Sequence, residues 1–296
     1  MGATRQKLTG GFFCCRVYCM KKIILSLVFV FFILSNAQAA SRYISLAPST
    51  TEILFALGLG EDVVGVSSYC NYPPETKNKA KVGDFSHPNI EKIISLNPDY
   101  IFCTGLEQAP VIEELKHLKF NTYVADPANT EELFKTIADI GAITYREKEA
   151  AALIRKMKDD IAQVGADIQL IPQGKRVKVF VEIWHEPLMT AGRGSIIDTI
   201  ITLAGGINVA HDVPRPYCNF SAEKVVSLDP QVIILAYMDR ESPLKLVEGR
   251  FGWANIAAVR NKRVFNDIDP ELLLRPTPRI TEGLKKLYKK LYPGNE

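Results

Sequence analysis

The chain has 296 residues, 47% hydrophobic and 23% charged, with no extended low-complexity tract, so it holds enough material for two domains with a core each. Its formal charge of +3 belongs to the amino end: removing Arg5, Lys7, Arg16, Lys21 and Lys22, which no acidic residue accompanies before position 40, leaves −2. A near-neutral body without a basic stripe gives no case for nucleic acid, and six cysteines with no CxxC pair give none for a zinc or dithiol site.

Lys21 and Lys22, the apolar run 23–34 and Ala37-Gln38-Ala39 read in order as the positive region, hydrophobic core and small-residue cleavage site of a secretory signal, cut after Ala39. The run falls short of the about 20 residues that a membrane span needs, so an anchor is not expected. Met20 offers a second start, and no cysteine follows the apolar core to take a lipid. Cys70, Cys103 and Cys218 remain in the mature chain; three is odd, so at least one thiol is unpaired.

The mature chain opens with a strand-like run at 42–46. Ser49 is expected to cap the helix that follows, with Glu52 completing a capping box and Gly58 and Gly60 closing it. Elements then alternate: 63–66, helix 90–96, strand 100–103, helix 111–118, strand 122–124, helix 131–140. This is the pattern of an α/β lobe with a mainly parallel sheet. From 146 to 170 the pattern becomes one long helix of roughly 35 Å. Leu153, Met157, Ile161, Val164 and Ile168 recur at helical spacing as its packing stripe. A second lobe restarts with a strand at 176–183, a loop at 184–195, a helix at 196–203 and a closing amphipathic helix at 277–291. Gly192-Arg193-Gly194-Ser195 lacks the phosphate-binding GxxxxGK[ST] pattern and reads as a tight strand-to-helix turn. The resulting division is an extension and signal at 1–39, a first lobe at 40–144, a connecting helix at 145–171 and a second lobe at 172–296.

One stretch occurs twice. Glu91-Lys-Ile-Ile-Ser-Leu-Asn-Pro-Asp-Tyr-Ile-Phe-Cys103 aligns without gaps with Glu223-Lys-Val-Val-Ser-Leu-Asp-Pro-Gln-Val-Ile-Ile-Leu235. Each copy reads as a short helix, a proline-marked turn and a buried strand. Asn89 and Ser221, two residues before each glutamate, are placed to cap the helix. The two lobes are therefore related, and each carries a glutamate in the first turn of an exposed helix.

Arg42-x-Ile-Ser-Leu-x-Pro-Ser-x-Thr-Glu52, Ser67-Ser-Tyr-x-x-Tyr-Pro-Pro74, Asn89-Ile-Glu-Lys92, Thr190-Ala-Gly-Arg-Gly-Ser195 and Ser221-Ala-Glu-Lys224 flank the long helix. Together they resemble the periplasmic binding proteins with a helical backbone that serve ABC importers of cobalamin, siderophores and haem. The match covers essentially all of 42–291 and is nearest to the cobalamin binders. The resemblance implies two Rossmann-like α/β lobes with mainly parallel sheets joined by one backbone helix, little hinge motion, and a ligand held between the lobes. It also implies a periplasmic, monomeric transport protein that is not an enzyme, carries no catalytic cofactor and takes cobalamin as cargo, with haem or an iron–siderophore as the alternative. An exported hydrolase using Ser195 or Cys70 has no GxSxG elbow to support it.

Tyr69, Tyr72, Phe85, Trp184 and Tyr217 fall in expected loops, where aromatic surfaces line clefts. Tyr69, Phe85 and Tyr217 match positions where the cobalamin binders place cleft aromatics, whereas Thr104 stands where an aromatic is common. Asp269 and Arg275 resemble a polar pair that bonds corrin amides. His185, between Trp184 and Glu186, is a candidate axial ligand to cobalt; His87, His117 and His211 have no metal-cage spacing. Glu91 and Glu223 match the glutamates with which the family meets basic residues of a two-fold permease.

Overall fold

The computed structural model describes residues 41–237 and 243–294; the expected signal, with Cys14, Cys15 and Cys19, lies outside the described residues. Five strands build the first sheet: β1 (Tyr43–Ser45), β2 (Val63–Val66), β3 (Ala80–Lys81), β4 (Tyr100–Cys103) and β5 (Thr122–Val124). Their order is β3-β2-β1-β4-β5 with every pair parallel. Helices α1 (Pro48–Ala56), α2 (Ile90–Ser95), α3 (Ala109–His117) and α4 (Thr130–Ile143) cover it. Successive strand residues point to opposite faces, and both faces are buried. Tyr43 and Phe102 join one core cluster, Ile44 and Ile101 another.

Helix α5 (Glu147–Gln169) follows. Its Met157, Val164 and Ile168 are buried, and Leu153 and Ile161 pack against the same cluster. Strand and helix residues from both sheets belong to that cluster. Each buried aliphatic side chain is worth about 1.5–3 kcal/mol, so α5 is held along its length by both lobes.

The second sheet is mixed. Strands β6 (Lys178–His185), β7 (Leu188–Ala191), β8 (Ile207–Asn208), β9 (Tyr217–Asn219), β10 (Val232–Leu235) and β11 (Val264–Phe265) run in the order β11-β10-β6-β7-β9, with β8 also on β6. β6, β8, β10 and β11 are mutually parallel; β7 is antiparallel to β6 and to β9. Helices α6 (Ile196–Leu203), α7 (Ala222–Leu228), α8 (Pro243–Glu248), α9 (Ala257–Arg260), α10 (Glu271–Leu274) and α11 (Ile280–Leu291) complete the lobe. The loop expected at 184–195 thus contains a strand. Leu188-Met-Thr-Ala191 has little intrinsic strand character and is recruited by pairing; the buried Thr190 hydroxyl donates to the Val181 carbonyl at 2.6 Å.

Both copies of the repeat adopt the same conformation. Asn89 Oδ1 accepts from Lys92 N–H at 2.7 Å, and Ser221 Oγ accepts from Lys224 N–H at 3.2 Å. Each helix ends before a left-handed residue, Asn97 at φ 43° and Asp229 at φ 46°. Asn and Asp tolerate that region better than other side chains, and the following proline stops the helix. The strands β4 and β10 then pair in parallel with β1 and β6.

Candidate functional site: a cleft between the lobes

The parallel order of the first sheet reverses at β1, whose neighbours are β2 and β4, and crevices form beyond the carboxyl ends of strands at such a point. The segments after all five strands deliver side chains there: Ser49 from the first turn of α1, Tyr69, Phe85 with His87, Thr104 with Glu107, and Asp126. The second lobe contributes Ser195, Pro216 and Tyr217, and Leu274, Arg275 and Pro276 beyond α10. Ala191 pairs with Tyr217, so the end of β7 and the start of β9 reach the cleft together. The walls enclose adjoining cavities of about 440 and 630 Å³ that share Phe85, Thr104, Glu107, Asp126, Leu274 and Pro276.

A residue without a sequence signal organises the first-lobe wall. Gln108 is fully buried; its amide donates to the carbonyls of Leu46 at 3.0 Å and Phe85 at 2.8 Å, while its oxygen accepts from Thr104 N–H at 2.9 Å. One side chain thereby ties the loops that follow β1, β3 and β4. The loop carrying Phe85 is also closed at its base by a Gly83–Pro88 bridge. Gly83, at φ 108°, has no room for a side chain: a Cβ there would lie 2.8 Å from backbone atoms of His87, Pro88 and Asn89.

Asp126 and Tyr217 face each other from opposite lobes. Burial pushes the Tyr217 phenol up, and the Asp126 carboxylate adds to the shift. Partial burial likewise raises the Asp126 carboxyl, with the Glu132 carboxylate adding to it. Glu132 itself is held in a reciprocal cap at the start of α4, accepting from Ala128 N–H at 2.8 Å while Asn129 accepts from Glu132 N–H at 2.9 Å.

The expected capping box at Ser49 and Glu52 does not form. The helix starts at Pro48, and the Thr50 and Thr51 hydroxyls donate to the Ala47 carbonyl. Glu52, 3% exposed, is turned instead toward the other lobe. Arg279 grips it with two nitrogens at 2.8 and 3.0 Å, and Arg275 lies 3.5 Å away. Arg275 also pairs with Glu271 at 3.0 Å and donates to Asn71 at 2.7 Å, and the Arg279 guanidinium stacks 3.6 Å from the Tyr72 ring centroid. Two cations and two anions neutralise one another across the lobe boundary. With α5, this cluster gives the lobes a second tie.

Of the residues expected in the site, Tyr69, Phe85, Tyr217 and Arg275 line these cavities, and so does Thr104. The Arg275 charge is already committed to carboxylates. Asp269 lines neither cavity; its carboxylate accepts from Glu271 N–H at 3.1 Å at the start of α10. Trp184 and His185 line neither cavity, because β7 turns the chain back: His185 pairs with Leu188 at one end of β7, whereas Tyr217 pairs with Ala191 at the other. The His185 ring packs between Trp184 and Tyr237, with centroids 5.6 and 5.9 Å away. The histidine on the cleft wall is His87, which the spacing rule for metal cages had passed over. No group of three or more His, Cys, Asp or Glu among the described residues is placed to hold a metal ion. Ser195 serves as the cap of α6, accepting from Asp198 N–H, and burial pushes the Cys70 thiol up among the Thr51 and Ser67 hydroxyls, so neither is poised as a nucleophile. Glu91 and Glu223 stand exposed in the first turns of α2 and α7.

Comparison with known proteins adds three findings to this geometry. A family model described as periplasmic binding protein matches residues 44–271. The chain is 34% identical over 257 residues to an uncharacterized ABC transporter substrate-binding lipoprotein of Bacillus subtilis, covering 85% of this chain and 80% of that one. Among solved structures it is similar to the periplasmic vitamin B12-binding protein of Vibrio cholerae (29% identity, 85% and 96% of the two chains, TM-score 0.70) and to a periplasmic heme-binding protein of Pseudomonas aeruginosa (25% identity, 86% and 94%, TM-score 0.74).

Proposed function

The chain belongs to the periplasmic binding protein family, the substrate-binding components of ABC transporters, and from that premise we propose that it captures cobalamin or a related corrinoid between its lobes and delivers it to a two-fold permease. In this reading it is exported by its signal, works as a periplasmic monomer and performs no catalysis. One observation carries the proposal. In each lobe a cleft aromatic stands six residues before the first-turn glutamate, with the helix cap between them: Phe85, Asn89 and Glu91 in one, Tyr217, Ser221 and Glu223 in the other. A single chain meets a two-fold partner by carrying the same feature on each lobe, and here that feature is joined directly to the cargo site.

The cleft charges favour a corrinoid over the haem alternative. Asp84, Glu107 and Asp126 line the walls, while Arg275 is neutralised by Glu52 and Glu271. Haem brings two carboxylates, a corrinoid mainly amides. The haem reading draws on the likeness to the Pseudomonas protein and on Tyr69, Tyr217 and His87 as ligands suited to iron.

Titrating the mature protein with cobalamin, dicyanocobinamide, haem and a ferric siderophore, followed by visible absorption and thermal shift, tests the proposal. Cobalamin should raise the Tm in step with RT ln(1 + [L]/Kd), since only the folded cleft binds it. Stabilisation by haem alone would overturn the corrinoid reading.

A further inference from the structure

We propose that Asp126 sets specificity within the cleft, accepting hydrogen bonds from amide groups on the rim of the bound corrinoid and repelling rims that carry carboxylates. The inference rests on the corrinoid reading and adds the chemical feature by which the ligand is chosen. Asp126 lies where the two cavities meet, lining both of them. Its position is built: Gly105 lies against the carboxyl, and a Cβ on Gly105 would fall 2.3 Å from Asp126 Oδ2. Among the described residues no donor bonds to that carboxylate, although neighbouring polar groups are satisfied; Gln108 and Glu132 both have their partners.

Asp126 is exposed on the open cleft wall, so a ligand seated there must replace its water with donors, because an ionised carboxylate only accepts. Amide N–H groups supply them. Glu107 and Asp84 on the same walls compound the penalty for a ligand carboxylate, and Arg275, the arginine on the wall, is held by Glu52, Glu271 and Asn71. Partial burial and the Glu132 carboxylate push the Asp126 carboxyl up, as for a carboxylate on a cleft wall that no donor or cation among the described residues offsets.

The test compares cobalamin with its derivative in which one peripheral propionamide is hydrolysed to a carboxylate, using the mature wild type, Asp126→Asn and Gly105→Ala. The wild type should bind the amide form about tenfold tighter, the scale of one charge-assisted hydrogen bond. Asp126→Asn should lose affinity for cobalamin and bring the two ligands within about threefold of each other, since an amide both donates and accepts. Gly105→Ala, which displaces the carboxyl without changing charge, should also weaken cobalamin binding. A ratio unchanged in a folded Asp126→Asn protein overturns the inference and leaves the corrinoid reading intact. A wild type that binds neither corrinoid removes both.

Discussion

The two copies of the helix-turn-strand unit share a cap, a first-turn glutamate, a left-handed residue and a buried parallel strand, yet their surroundings differ. Ser221 Oγ, besides capping α7, donates to the Glu223 carboxylate at 2.6 Å; in the other copy Asn89 caps α2. Asp229 accepts from Ala257 N–H at 2.7 Å, joining its turn to α9, and Asn97 occupies the same conformation. The copies are thus equal in backbone and unequal in support. Repetition preserves what the unit presents outward, while each lobe has refitted what lies behind it.

The largest effect expected from breaking this pairing is functional. Glu91→Lys with Glu223→Lys should abolish uptake and receptor–permease affinity while sparing fold and cargo binding, with each single reversal intermediate. If the glutamates serve only the helix dipole, the double reversal costs no more than about 1–2 kcal/mol of stability and transport is normal. Uptake assays with the four proteins decide between these, and unequal single reversals would reveal that the partner reads one lobe more than the other.

Both copies must also be held at one spacing, which α5 and the Glu52 cluster provide. Glu52→Ala leaves Arg279 and Arg275 with Glu271 as their remaining carboxylate and should cost about 1–3 kcal/mol, less than a fully orphaned buried charge would. Calorimetry should register a lower Tm together with faster ligand release; an unchanged Tm would show that α5 suffices.

Two smaller experiments sharpen the difference in support. Asp229→Gly should destabilise by about 1 kcal/mol through loss of its bond to Ala257, whereas Asn97→Gly should stay within about 0.5 kcal/mol, as measured by denaturant titration. The Ser221 hydroxyl, aided by the residue's own N–H, holds the Glu223 carboxyl below the usual glutamate range. A depressed folded value contributes stability that is present above the unfolded value and lost as pH falls through the folded one. Ser221→Ala should therefore move the Glu223 titration upward by NMR, and its effect through this bond should vanish in acid.

Much of the fold was legible because it depends on local pattern. Strands β2, β4 and β10 and helix α6 follow the sequence reading residue for residue, since short apolar runs mark the strands and the Gly194-Ser195 turn with its cap marks the helix start. Strand β7 was not legible: its pairing partners lie elsewhere in the chain, and a four-residue run has no period to detect. Tyr69, Phe85 and Tyr217, singled out as loop aromatics, do line the cleft cavities, Tyr217 from the first residue of β9, whereas Trp184, chosen by the same rule, does not. Gln108 and Asp126 were not singled out, because a glutamine between a glutamate and an alanine, or an aspartate before a proline, looks the same in solvent as in a binding wall.

By itself, then, the sequence determined the α/β alternation, the joining helix and the duplicated unit, all consequences of periodicity and of backbone limits at proline, asparagine and aspartate. Tertiary structure decided where charge is placed. Glu52, which reads as a helix cap, became a tie between lobes because two arginines more than two hundred residues away reach it. His87 and not His185 came to line these cavities because an antiparallel strand turned the second away. Electrostatic partners are chosen by proximity in space, and no local rule of sequence encodes that proximity.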